Sequence, residues 1–307
     1  MVYGDLMAGS RPSLMWRAIM AALPRLPHAA VSRLVGRAAD VSLPRALRPV
    51  VLGSFARIVG ADLDEVERPL VDYRTLDAFF TRRLRDGARP MPADPNTVVS
   101  PVDGRVTAVG TVDPTGTLEV KGRPWTAAQL LDDPSEAARY YGGSFAILYL
   151  SPKDYHRIHA PCDARLDWAR YAPGRLLPVN PPAVAVEPDL FVRNERVSCA
   201  FECSAGRAAL VAVGALDVGR ISTAFDPGWN THRGGVSNRR RANPATRRYE
   251  PPLELARGDE LMAFHLGSSV VLLFEAGGVR PRPELAPGDA VRVGQPLAEP
   301  AGSSRSR

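Results

Sequence analysis

The chain contains only five histidines. Two of them, His156 and His159, stand three residues apart in Ser151-Pro152-Lys153-Asp154-Tyr155-His156-Arg157-Ile158-His159-Ala160-Pro161. An imidazole titrates near neutrality and can give or take a proton or hold a metal. A His-x-x-His metal pair belongs on a helix, with His265 as the candidate third ligand. Pro152 and Pro161 bracket the segment too closely for a long helix. General acid–base work, with a different task for each ring, fits better. A second reactive arrangement is Phe264-His265-Leu266-Gly267-Ser268-Ser269, set directly before the apolar run Val270–Phe274. Glycine tolerates strained backbone, and the Ser268 hydroxyl can attack the carbonyl of Gly267. The resulting N-to-O acyl shift gives an ester. β-Elimination and hydrolysis then leave a pyruvoyl ketone on a new N-terminus, able to form a Schiff base with an amine. Asp103, in Ser100-Pro101-Val102-Asp103-Gly104-Arg105-Val106, is an acid at a tight turn, read either as turn chemistry or as a functional group. Phe191-Val192-Arg193-Asn194-Glu195-Arg196-Val197 reads most simply as an ion-paired strand edge.

Positioning these groups falls to short strands. Thr97–Val109, Thr117–Val120, Ser144–Leu150, Arg196–Phe201, Ala208–Val213 and Val270–Phe274 are apolar runs bounded by Gly and Pro. The units 100–106 and 287–297 resemble each other and the turns of lipoyl-type barrel sandwiches. Neither carries a lysine at its tip, which argues against a carrier role. Upstream, residues 28–38 and 49–59 have helical apolar spacing, with Pro49 suited to a first turn and Gly60 to a stop. Thr75 is placed to cap a further helix that presents Leu76, Phe79, Phe80 and Leu84.

Composition narrows the function. At 45% hydrophobic and 23% charged residues the chain is neither disordered nor a multi-span membrane protein. The longest apolar run, Leu14–Leu23, is interrupted by Arg17 and stopped by Pro24, well short of the roughly 18–20 residues that span a bilayer. With Asp5 upstream and no clean small-residue cleavage site after it, this run is not expected to be a signal peptide. Net charge is +6, and residues 1–57 carry eight arginines against Asp5 and Asp40. Apolar helices flanked by arginine suit an anionic membrane surface or a layer packed on the protein's own core. Asn230–Tyr249, rich in arginine, reads as a solvated loop with lipid phosphate as its functional alternative. It lacks the aromatic interleaving of a nucleic-acid binder, and no nucleic-acid partner is expected. Lysines number two, Lys121 and Lys153, which leaves little scope for a lysine-anchored cofactor. Cys162, Cys199 and Cys203 have no disulfide or zinc spacing, and Cys199 and Cys203 share the buried face of a strand.

Taken in order, SPVDG, LSPKDYHRIHAPC, FVRNERV, VGALDVGRI and FHLGSSVVLLFE resemble the phosphatidylserine decarboxylase family. Asp72–Leu76, the segment ending at Arg85 and Val120–Trp125 extend the likeness, which spans about residues 70 to 298. The family ends its processing motif Leu-Gly-Ser-Thr, and this chain has Ser269 in the last place, which keeps the hydroxyl. The resemblance implies Asp103, His159 and Ser268 as the self-processing triad: acid, base and nucleophile. It implies cleavage between Gly267 and Ser268 into 1–267 (β chain) and 268–307 (α chain). A covalent pyruvoyl cofactor from Ser268 would form the Schiff base with phosphatidylserine, and His156 would reprotonate the α-carbon after carbon dioxide leaves. Tyr155 and aromatics near Phe264 would line the pocket.

The expected architecture is α+β, a β-rich catalytic body over 89–307 with barrel-sandwich-like elements, preceded by an amphipathic helical layer over 1–88. The expected partners are phosphatidylserine and an anionic membrane surface. The two cleaved chains would form a heterodimer, further homo-oligomerisation being left open, on the cytoplasmic side of the cell membrane. No metal is expected. A metal-dependent hydrolase built on His156 and His159, and a non-catalytic lipid-binding protein, are the alternatives.

Overall fold

Small and branched residues alternate along Ser144–Leu150, Gly206–Gly214 and Ser268–Phe274, and such strands can be buried on both faces. In the computed structural model they form the middle of an eight-stranded antiparallel sheet. Its order is Ala245–Leu255, Ala164–Ala172, Arg196–Cys203, Gly206–Gly214, Ser268–Phe274, Ser144–Leu150, Gly104–Thr111 and Ala290–Val291. The structure describes residues 28–120, 122–179, 183, 189–216, 220–237, 242–265 and 268–301. The run Leu14–Leu23 and the residues Leu266 and Gly267 lie outside them.

Ser268–Phe274 is buried along its whole length and paired on both sides. Its side chains divide between two cores by the two-residue period of a strand. Val270, Leu272 and Phe274 join a cluster with Leu148, Leu150, Ile158 and Phe264. Val271 and Leu273 join the opposite cluster with Ile147, Trp125 and Phe191. Ser268 belongs by that period to the first face. A second sheet, Ile221–Thr223, Glu260–Phe264 and Arg157–His159, contributes Ile158, Met262 and Phe264 to the same core. The His156–His159 segment and the start of the central strand thus border one apolar body.

The two look-alike units pair with each other. Arg105 lies opposite Ala290 and Gly104 opposite Val291, while Ser100 N–H donates to the Gln295 carbonyl and Gly294 N–H to that of Ser100. This divides the expected continuous strand Thr97–Val109 into Val98–Val99 and Gly104–Thr111. Between them the Ser100 hydroxyl closes a turn on the Val102 carbonyl.

Upstream stand α1 (His28–Ala39), α2 (Arg48–Val59) and α3 (Leu76–Phe80). Pro49 opens α2, and Gly60, at φ 81°, closes it. The Thr75 hydroxyl accepts from Ala78 N–H and caps α3. Leu84 falls outside α3, which stops at Thr81, and bridges Val66 instead. A small core of Leu52, Ala56, Val66, Tyr73 and Phe79 holds this layer together. The other side of α2 exposes Leu47, Val50, Val51 and Ile58, the last at 84%.

The arginine-rich stretch is only partly loop. Arg247 and Arg248 lie on the edge strand Ala245–Leu255, which is anchored by Ala245 and Tyr249 packing on the core. Arg233 is ion-paired with Asp40 after α1. Arg239, Arg240 and Arg241 lie outside the described residues.

The Asp103-Gly104 pair also differs from a simple turn. A Cβ on Gly104 would sit 2.3 Å from the Tyr149 carbonyl oxygen of the neighbouring strand, so close backbone approach demands the glycine. Gly104→Ala should therefore cost about 1–3 kcal/mol of stability as an overpacked site. A urea midpoint equal to the wild type would show that the strand yields without strain.

Candidate active site

Ser268 opens the central strand with its backbone opposite Leu150 and Gly214. It is fully buried, and its hydroxyl has no hydrogen-bond partner, as is true of Ser269. Buried polar groups are nearly always satisfied, so an orphan hydroxyl at a strand's first residue calls for a reason.

His156 carries a second orphan. Its Nδ1 lies 2.8 Å from the Asp154 carbonyl, so Nδ1–H donates there and Nε2 keeps its lone pair. That Nε2 is buried and unpartnered. The ring packs against Phe80 at 4.1 Å between centroids. Burial, with a smaller contribution from the Arg82 charge, pushes the imidazole down to about 3; it is neutral at pH 7. The His156 carbonyl accepts from Phe264 N–H, so the histidine is tied to the strand that leads towards Ser268.

His159 is placed differently. Its Nδ1–H donates to the Gly258 carbonyl at 2.7 Å, and its Nε2 accepts from the Tyr155 phenol at 3.0 Å. Burial lowers this imidazole too and raises the Tyr155 hydroxyl. Asp103 sits close by, since His159 N–H donates to the Pro101 carbonyl, and its charge favours protonated His159. The Asp103 carboxylate itself is bound elsewhere. Arg89 Nε reaches both its oxygens, at 2.9 and 3.2 Å, and Val293 N–H donates to it at 2.9 Å. Asp103, His159 and Ser268 are therefore gathered around the same region without being joined by hydrogen bonds. Glu65 takes the other end of Arg89, and Arg292 takes Glu65.

His265 is not drawn to the other histidines. Its Nδ1 bonds Asp77 at 2.8 Å and its Nε2 accepts from the Ser222 hydroxyl at 3.1 Å. Arg220 pairs with both Asp77 and Asp40. Although Ser222, His265 and Asp77 have triad-like connectivity, Arg220 neutralises the acid, and the network joins α1 and α3 to the segment preceding Gly267. Among the described residues, no three His, Cys, Asp or Glu side chains gather as a metal-ligand set.

In the stretch FVRNERV, Asn194 and Arg196 brace the backbone. The Asn194 amide bonds Leu177 N–H, the Leu177 carbonyl and the Gly214 carbonyl, and Gly214 is the cross-strand partner of Ser268. Arg196 spends its guanidinium on the carbonyls of Gln129, Leu130, Val192 and Asn194. Sequence spacing carries no sign of these pairings, nor of Arg89 on Asp103 or Asp77 on His265.

Fold and site together define a β-rich body whose central strand opens on a buried, unpartnered hydroxyl. The sequence matches the family described as Phosphatidylserine decarboxylase over residues 76–299. Relatives named phosphatidylserine decarboxylase proenzyme include that of Anaeromyxobacter sp. (strain K), 44% identical over 282 residues, covering 92% of this chain and 98% of the relative. That of Bordetella petrii is 40% identical over 277 residues, 89% and 94% of the two chains. That of Myxococcus xanthus is 39% identical over 270 residues, 88% and 94%. The chain belongs to the phosphatidylserine decarboxylase family, lyases that remove the carboxyl group of phosphatidylserine.

Burial depresses His156, His159 and His265 alike. An unfolded chain takes up protons near pH 6.5 that the folded imidazoles refuse, so stability is present above that pH and is lost below it. For His156 alone, moving from pH 7 to pH 5 should cost about 2 kcal/mol. Urea midpoints across that range should fall, and His156→Phe should flatten the slope. An unchanged slope in the variant would remove His156 as a source.

Proposed function

We propose that this chain is a pyruvoyl-dependent phosphatidylserine decarboxylase that cuts itself between Gly267 and Ser268 and yields phosphatidylethanolamine. The observation that carries this reading is the pair of buried, unpartnered groups, the Ser268 hydroxyl and His156 Nε2, bordering one core. In the first stage the Ser268 Oγ attacks the Gly267 carbonyl and displaces the amide nitrogen to form the ester. His159 takes the hydroxyl proton, supported by the Gly258 carbonyl at Nδ1 and by the negative charge of Asp103. This requires the Tyr155 phenol to give up Nε2 to the serine.

The residues fit a pyruvoyl group at position 268. Conversion would remove the orphan hydroxyl together with the residue 268 nitrogen, and Ser269–Phe274 would keep their pairing on both sides. Pairing on both sides of Ser268–Phe274 would retain fragment 268–307 after the cut, giving a heterodimer of the two cleaved chains. When formed, the ketone supplies an electron sink for the leaving carboxyl group. His156, held as the Nδ1–H tautomer, presents Nε2 to pick up a proton and return it to the α-carbon. The apolar walls around it, Phe80 among them, leave a carboxylate poorly solvated and favour its loss.

Membrane contact is part of the same proposal. Apolar Leu47, Val50, Val51 and Ile58 on the open side of α2 lie among arginines, which suits a peripheral site on an anionic cytoplasmic leaflet. Among the described residues no helix is long and apolar enough to cross a membrane.

Intact mass under denaturing conditions tests the cofactor. Wild type should give two fragments, with 268–307 lighter by one ammonia than a peptide beginning in serine. Ser268→Ala should remain one chain, and cleavage of that variant would refute the assigned nucleophile. His159→Ala should fail to process. His156→Ala should process yet release no carbon dioxide, and identical behaviour of the two would undo the division of labour. Tyr155→Phe frees His159 Nε2 and should speed processing severalfold in a time course; slower cleavage would instead make the phenol a proton relay.

A further inference from the structure

We propose that the cavity beside His156 is an anion site for the phosphodiester of the lipid headgroup, with the Arg82 guanidinium as its ligand. This deepens the decarboxylase reading and rests on it for the identity of the lipid. The cavity measures about 210 Å³ and lies between the end of α2 at Gly60 and Asp62, the SPVDG turn at Asp103, and Asp154–Tyr155, with Arg82 in its wall.

Arg82 is 3% exposed. Nη2 donates to the Lys153 carbonyl at 3.2 Å, and the guanidinium lies over the Phe79 ring at 5.1 Å. Nε and Nη1 are buried with no partner, and among the described residues no carboxylate comes within ion-pair distance of it. A buried cation without a counter-charge in contact is costly. Asp103, Asp154 and Glu65 favour its charge only from beyond contact. Asp103 and Glu65 are both taken by Arg89, and Asp154 accepts from the Ser151 hydroxyl and N–H. Nε–H and Nη1–H lie on opposite edges of the guanidinium, each beside an Nη2 hydrogen, so either edge retains an unused donor for a phosphate oxygen.

Three facts point to a phosphodiester rather than the substrate carboxylate. A carboxylate held on a guanidinium is stabilised in the ground state, which opposes its loss as carbon dioxide. The cavity adjoins His156 through Asp154, whose carbonyl holds the ring, so its occupant is a neighbour of the reacting carbon. Gly60 and Asp62 of its lining adjoin exposed Ile58 and Leu63 along the chain, where acyl chains would lie.

The test uses processed enzyme and dihexanoyl phosphatidylglycerol, a lipid with a phosphodiester but no amine or carboxylate. Calorimetry should show it binding to wild type and binding Arg82→Gln at least tenfold more weakly, the loss expected for a charge-assisted pair. The KM for short-chain phosphatidylserine should rise by a similar factor with kcat within about twofold, and both proteins should show the same two fragments. Arg82→Lys keeps the charge without the fork and should fall between them; it also serves if the glutamine variant does not fold. Equal affinity of the probe for wild type and variant would overturn the proposal, since a carboxylate-binding arginine would leave this probe indifferent. A fall in kcat at constant KM would also overturn it, by showing that Arg82 acts through His156. Arg82-dependent binding of inorganic phosphate with no binding of the lipid would replace the headgroup with a free-phosphate site. A wild type that binds the probe through Arg82 but releases no carbon dioxide from phosphatidylserine would sink the decarboxylase reading and leave the anion site standing.

Discussion

The structure turns on a strand held rigid from its first residue, Ser268, where the proposed function places the reactive hydroxyl. Ser268–Phe274 is hydrogen-bonded on both sides through all of its length, and its side chains fill two separate cores. Such a strand cannot shift register by one residue without turning both cores inside out. That rigidity fixes the position of Ser268 while leaving its hydroxyl unbonded. A serine on a loop would find water or a backbone partner; a serine at the first rung of a doubly paired strand is denied both. The Asn194 brace on Gly214 extends the same constraint to the neighbouring strand.

The second consequence is electrostatic. Placing proton-transfer groups in an apolar body forces the imidazoles neutral, and the carbonyls of Asp154 and Gly258 then select which nitrogen carries the proton. His156 and His159 have the same tautomer by this device but opposite availability. One Nε2 is free, and the other is stoppered by Tyr155. Two histidines three residues apart on an extended segment therefore have different chemistry without any difference in their own covalent structure.

Much of this was legible in the sequence. Periodicity carried the central strands, the Pro49–Gly60 helix and the Thr75 cap, because each is fixed by local residue chemistry. The ordered motifs brought Asp103, His156, His159 and Ser268 into view together. What stayed hidden depends on long-range pairing. Nothing near Arg89 announces Asp103 as its partner, and nothing in FVRNERV distinguishes carbonyl-binding Arg196 from an ion-paired arginine. The expected strand 97–109 failed at Ser100–Asp103 because the repeated unit 287–297 folds back onto it, a contact across more than half the chain. Leu84 was misplaced on α3 for a related reason, since Val66 competes for it.

Unsatisfied buried groups occur in several places, Trp125, Ser144 and Trp168 among them, and three of them flank one stretch of chain. Ser268 Oγ, His156 Nε2 and two nitrogens of Arg82 all lack partners, and the Arg82 charge reaches His156. Each alone is a cost of roughly 1–3 kcal/mol or more, which a fold of this size could remove by one apolar substitution. Ser268 stands opposite Leu150, Arg82 bonds the Lys153 carbonyl and His156 follows in the same stretch, so all three flank residues 150–156. On the proposed reading they are one requirement rather than three defects: a site that would accept a charged headgroup, transfer a proton and expel a carboxylate needs donors, acceptors and apolar walls not already used by the fold. The braces at Asn194 and His265 and the Arg89–Asp103 pair are engaged, so the frame around these groups is held by bonds that involve neither the Ser268 hydroxyl nor His156 Nε2.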